Sequence, residues 1–208
     1  LGGALQSHGK YTRAAECIEK AVDLLKGVGD RLHEGIYTGN LGLLCVAQGR
    51  VEAGIELLHQ AIAIHREVAS RRNECIFLGN LGDALVEIGR REEAEATLRE
   101  ACEIGDEVSP LVASVFRGSL ARLLAHQGQI EEARALLERA EEEVRPWPNE
   151  HAKFLCKKGQ VCHLAGDACG AQAALTQARE IAVELKVRED SELGQAVTAL
   201  RAELQTSR

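Results

Sequence analysis

The sequence predicts an all-α protein, a solenoid of antiparallel helical hairpins, on three observations. Hydrophobic residues make up 45% of the chain and aromatics only 3%, so the core must be built from Leu, Ala, Ile and Val, which suit close helix–helix packing. Only 3 prolines occur in 208 residues, and proline is the residue that breaks helix interiors. The third observation is internal repetition. Gly39-Asn40-Leu41-Gly42 returns as Gly79-Asn80-Leu81-Gly82, a shift of 40.

A second landmark runs through the whole chain. Glycines fall at His8-Gly9-Lys10, Gln48-Gly49-Arg50, Ile88-Gly89-Arg90, Gln127-Gly128-Gln129 and Ala165-Gly166-Asp167, in steps of 40, 40, 39 and 38. Five residues after each comes a small residue: Ala14, Gly54, Ala94, Ala133 and Ala171. Seven further on come Ala21, Ala61, Ala101, Ala140 and Ala178, with Ile18, Leu58, Leu98, Leu137 and Leu175 between. A glycine closing an apolar-periodic stretch can take the left-handed conformation that ends a helix. The small–large–small spacing then lines one face of a second helix. Alanine lets two axes approach, and leucine fills the space beside them. Each unit is therefore a helical hairpin whose apolar faces are buried only by stacking on neighbours.

Taken in order, a first helix ends near His8 and its partner spans 11–27. Helix pairs follow at 32–48 and 51–68, 72–88 and 91–107, and 110–127 and 130–144. Arg145-Pro146-Trp147-Pro148-Asn149 is a break, because a residue before proline avoids helical angles. A fifth pair covers 150–165 and 168–186. A last helix begins at Asp190-Ser191 and carries Leu193, Ala196, Val197, Leu200 and Leu204 on one face, as a cap. The whole reads as a single domain, 1–208, with units 1–28, 29–70, 71–108, 109–147 and 148–187 and a capping helix over 190–205. The opening Leu1-Gly2-Gly3-Ala4-Leu5 reads as mid-helix, so a fragment of a longer protein is expected.

Composition narrows the function classes. A formal charge of −7 argues against a nucleic-acid partner, which calls for a basic face. No apolar run approaches the ~18 residues of a membrane span. The 7 cysteines are odd in number, with no C-x-x-C pair, so they read as small buried hydrophobes in a reducing cytoplasm. His151, Cys156, Cys162, His163 and Cys169 form the one cluster resembling a metal site. Their spacings of 5, 6, 1 and 6 do not suit four converging ligands, and Cys162 shares a core position with Cys45. No metal and no cofactor are expected. Nucleophile–base pairs, phosphate loops and His-Glu-x-x-His helices are missing from the sequence, so no enzyme is expected. Glu131-Glu132 and Glu141-Glu142-Glu143 read as solvated helix surface.

Leu41-Gly42, Gly49, Gly54, Leu58 and Ala61, and better still Leu81-Gly82, Gly89, Ala94, Leu98 and Ala101, resemble the tetratricopeptide repeat. Tyr11 supplies an aromatic that often follows the turn glycine in that family. The period near 40 exceeds the family's usual 34, and the terminal proline is missing from most units. Such long units are similar to arrays attached to large bacterial signalling proteins. The resemblance implies a right-handed α-α superhelix whose first helices line a concave groove, and a protein or peptide partner.

Carried over position by position, it places Asn40 and Asn80 on that groove, where carboxamides could bond a peptide main chain or satisfy neighbouring helix ends. Ser119 and Lys157 occupy the corresponding positions, so the ladder is partial. One turn along lie Leu43, Asp83, Arg122 and Gln160, then Val46, Glu87, His126 and His163. With Lys153 and Lys157 the wall runs from apolar through acidic to basic. Gly39, Gly79 and Gly118 recur on this face and admit either a ligand backbone or a neighbouring helix. The readings that remain are a peptide-capturing groove, a spacer or self-association module, and a ligand-sensing array controlling an attached catalytic domain.

Overall fold

The turn glycines decide the local structure. Gly49, Gly89, Gly128 and Gly166 all have φ between 74° and 82°, the left-handed region that a side chain disfavours. Around each, the amide of the following residue reaches back to a carbonyl of the ending helix: Arg50 to Cys45 at 2.9 Å, Arg90 to Leu85 at 3.0 Å, Gln129 to Leu124 at 2.9 Å and Asp167 to Cys162 at 2.8 Å. This is the Schellman closure, which satisfies carbonyls that a helix end leaves open.

The computed structural model describes residues 2–206, with side chains from 13 onward. These residues divide into two compact units, one ending at Val108 and the other beginning at Ser109. In the first unit the helices are α1 (Gly2–Val28), α2 (Arg31–Ala47), α3 (Val51–Glu67), α4 (Arg71–Glu87) and α5 (Arg91–Val108). In the second they are α6 (Pro110–His126), α7 (Ile130–Val144), α8 (Pro148–Leu164), α9 (Ala168–Glu184) and α10 (Glu192–Thr206). The hairpins are α2–α3, α4–α5, α6–α7 and α8–α9. Among the described residues there is no strand, and no helix is long and apolar enough to cross a membrane.

The small–large–small positions form the core of both units. Leu58, Ala61, Ala94, Leu98, Ala101, Ala133, Ala140, Ala171 and Ala178 are sealed from solvent, and Leu137 and Leu175 nearly so. Within the α2–α3 hairpin the approach is limited by backbone. A Cβ on Gly42 would stand 2.9 Å from the Gly54 carbonyl, and one on Gly54 2.7 Å from the Gly42 carbonyl.

One expectation fails at the N-terminal end. The turn expected at Gly9 is missing, and α1 is one helix running from Gly2 to Val28. An interior glycine costs a helix only about 1 kcal/mol, so a glycine alone does not end one. In keeping with this, Ala14, Ile18 and Ala21 are only half-buried, unlike their equivalents downstream. The Tyr11 side chain lies outside the described range.

The first unit is also tied by ion pairs that repeat. Arg31 bonds Glu34 at 2.7 Å and pairs with Glu67; forty residues on, Arg71 bonds Glu74 at 2.9 Å and lies 3.7 Å from Glu107. Glu74 is 3% exposed and also takes the Arg66 guanidinium at 2.7 Å, so α3 is clasped to α4 at a buried carboxylate. In the second unit α10 closes the stack. Leu200 is fully buried against Leu155, Cys156, Leu175 and Ala178, with Ala196, Val197 and Leu204 packed beside them, as the sequence pattern requires.

Three substitutions test this packing. Replacing Glu74 by Ala should destabilise the first unit by about 2 kcal/mol, less than for a fully buried pair because Arg66 and Arg71 keep half their exposure. Among the helical glycines, Gly27 has open space around it, so Gly27→Ala should stabilise by up to about 1 kcal/mol. Gly39→Ala should instead cost roughly 1–3 kcal/mol, since its Cβ would come within 2.2 Å of the Phe77 ring. Urea denaturation of each variant, followed by circular dichroism, checks the three signs.

Candidate partner-binding faces

The first helix of each hairpin carries the residues expected to meet a partner. In the first unit α2 presents Asn40, exposed, and Leu43, half-buried, with Val46 half-buried a turn further. On α4 Asn80 and Asp83 are half-buried and Glu87 is exposed. The Asn80 amide nitrogen donates to the Ile76 carbonyl of its own helix at 2.8 Å. That bond is local and weak, worth about 1 kcal/mol in a half-buried place.

The three glycines of this face have a definite steric role where their surroundings are described. Gly39 faces the Phe77 ring, and a Cβ on Gly118 would come 3.1 Å from Phe154 and 3.2 Å from the Lys157 stem. At both positions the space is taken by a side chain of the next first helix, so of the two alternatives it is the neighbouring helix that these glycines admit. Phe77 and Phe154 are buried accordingly. Gly79 is buried too.

In the second unit the expected residues are drawn together. Ser119 on α6 is 1% exposed, and Lys157 on α8 donates to its Oγ at 2.7 Å and to the Val115 carbonyl at 3.4 Å. The two positions that break the asparagine ladder thus bond each other. Lys153 sits between Glu150 at 3.0 Å and Glu192 of α10 at 3.3 Å. Burial works against its ammonium, but these two carboxylates outweigh it and hold its pKa above the ordinary 10.5. Gln160 donates to Glu203 of α10 at 2.7 Å. Arg122 and His163 are half-buried and His126 is exposed. Helix α8 is therefore tied to α6 and α10.

The cysteine–histidine cluster does not converge. Cys156 is buried, and burial pushes its thiol up to about 12; Cys162 is half-buried with its thiol raised for the same reason, and Cys169 is exposed. Burial lowers the His151 pKa below 6.5. Among the described residues, no three of His, Cys, Asp and Glu are grouped to hold a metal ion.

Profiles described as "Tetratricopeptide repeat" match residues 35–107 and 114–139, the hairpins whose geometry has just been given. Over these residues the chain is built of tetratricopeptide repeats. Solved structures share the fold at low identity. BtubC (BKLC) from P. vanneervenii is 18% identical over 89% of this chain and 78% of its own, with a TM-score of 0.71. A putative kinesin light chain from Podosopora anserina, with nearly identical TPR-like repeats, is 21% identical over 88% and 92%, at 0.62. YrrB, described as a TPR protein with an unusual peptide-binding site, is 19% identical over 96% and 88%, at 0.52. No curated protein matches the sequence.

Two features of these tetratricopeptide hairpins were missed in the sequence. The ion pairs had a signal, since Arg31-x-x-Glu34 recurs as Arg71-x-x-Glu74, and Glu67 as Glu107. The buried His65 had none, because the equivalent position forty residues on is Gly105. For the Ser119–Lys157 bond the check is direct. Ser119→Ala should destabilise the second unit by about 1 kcal/mol, read by hydrogen exchange of the α6 and α8 amides.

Proposed function

We propose that this tetratricopeptide chain is a protein-interaction module that works by binding and not by catalysis, taking a peptide or partner segment against the faces of its first helices. The observation that carries the reading is the outward display of Asn40 on α2, with Asn80 at the equivalent place on α4. A carboxamide offers two donors and an acceptor to a peptide unit and demands no particular side chain. The Asn80 bond to Ile76 engages one donor and leaves a second on the same nitrogen. Leu43, Asp83 and Glu87 would flank a segment held there, and Ser119, Arg122, His126, Lys153 and Lys157 would form the equivalent face of the second unit.

The description of YrrB as a peptide-binding TPR protein supports this use of the fold. In the same reading the chain is cytoplasmic and part of a larger bacterial regulatory or signalling protein, as its long repeat units suggest. The partner is a polypeptide, not a nucleic acid or a membrane.

A pull-down from source-cell lysate tests it, comparing the chain with an Asn40→Ala, Asn80→Ala double variant whose helicity is checked by circular dichroism. The expected result is a polypeptide retained by the parent chain and lost, at least tenfold in recovery, by the folded variant. Equal recovery by both would move the contact away from this face. Capture of the chain's own copies alone would favour self-association.

A further inference from the structure

Beneath the α2 and α4 faces lies a group that partner binding does not use. His65 of α3 is fully buried. Its ring stacks on Phe77 of α4, with centroids 5.3 Å apart and planes within 4°. On α2 there is no side chain at the matching point: a Cβ on Gly35 would lie 2.9 Å from the His65 Cε1 and 3.0 Å from Nε2. The imidazole is thus gripped by all three helices at once.

Neither Nδ1 nor Nε2 makes a hydrogen bond of ordinary geometry; the one acceptor that acts on the ring is the Gly35 carbonyl, and only weakly. A neutral ring meets that situation at a modest cost. A charged ring costs much more, because a buried ion without a bonded counter-ion loses its hydration with no replacement. Stacking an imidazolium on Phe77 returns only a small part of that.

The charged residues that flank Gly35 and His65 along the chain, and the Glu74 carboxylate that acts on the ring, are already engaged with one another. On α2, Arg31 bonds Glu34; on α3, Glu67 pairs with Arg31, and Arg66 bonds Glu74; on α4, Arg71 also bonds Glu74. Burial moves His65 below its ordinary 6.5, against the weaker opposing pulls of the Glu74 charge and the Gly35 carbonyl.

We propose that His65 is an acid-sensitive latch of the first unit: with its ring neutral the α2–α3 hairpin is closed on α4, and protonation of the ring opens that contact. The sign follows from proton linkage. The folded state holds its proton less tightly than the unfolded chain, so closure is strongest above 6.5 and weakens as pH falls toward the folded-state value. Gly35 precedes Asn40 by five residues on α2, and Phe77 precedes Asn80 by three on α4. Opening therefore alters the support of both asparagines, although the latch itself rests on packing and not on partner binding.

The test uses the full chain and two readouts: ring protonation of His65 by NMR, and hydrogen exchange of α2, α3 and α4 corrected for intrinsic pH dependence. The expected result is a ring that stays neutral at 6.5, with the opening equilibrium rising by up to about tenfold for each pH unit below it. His65→Phe and His65→Leu keep the carboxylates and should lose this dependence. A ring that protonates at 6.5 with protection retained would overturn the latch. So would an equal acid response in a folded variant. Should neither variant fold, the native protein still decides: protonation without coincident opening refutes the proposal.

Discussion

Helices in these hairpins meet where there is almost nothing between them. At Gly42 and Gly54 each backbone carbonyl occupies the place a Cβ would need on the other helix. At the equivalent positions downstream, Ala94, Ala133 and Ala171 supply the smallest side chain that still favours helix. Everything else in the core is arranged around that approach. The leucines at 58, 98, 137 and 175 fill the wedge beside the contact, and the alanines at 61, 101, 140 and 178 keep the same face of each second helix slim two turns further on. Because a buried small residue recurs at that position in each hairpin, each unit can be built by stacking without a large aromatic core, which explains how 3% aromatic residues suffice.

The repeat was legible because its determinants are local. A left-handed glycine, a small residue five positions on and a leucine four after that are all read from spacing. Gly9 shows where spacing alone misleads: it has the right neighbours, yet α1 passes through it. A turn forms when the segment before it gains by packing back, and that is a tertiary fact. The glycines of the first-helix face show the same limit. Sequence left Gly39 and Gly118 open between ligand and helix, and the answer lay in Phe77 and Phe154, 38 and 36 residues away.

The candidate faces were only partly readable. The resemblance to the tetratricopeptide repeat put Asn40 and Asn80 on the expected face, but the substitution of Ser119 and Lys157 at their equivalents looked like two lost contacts. The structure turns them into one bond, Lys157 to Ser119. Pairing between distant positions of unlike type leaves no period to detect. His65 is the extreme case, a single buried imidazole whose neighbours Gly35 and Phe77 are separated from it by 30 and 12 residues.

The lengths of the pieces carry a consequence of their own. Every first helix, α2, α4, α6 and α8, has 17 residues, and three residues always separate it from its partner. The second helices of the same hairpins have 17, 18, 15 and 17 residues. One half of each hairpin is thus cut to a fixed gauge while the other half absorbs the irregularity. Blocks beginning at Arg31, Arg71, Pro110 and Pro148, each comprising a first helix with its turn, are therefore natural cassettes for shuffling among hairpins. The second helices are where insertions and deletions can accumulate without disturbing them.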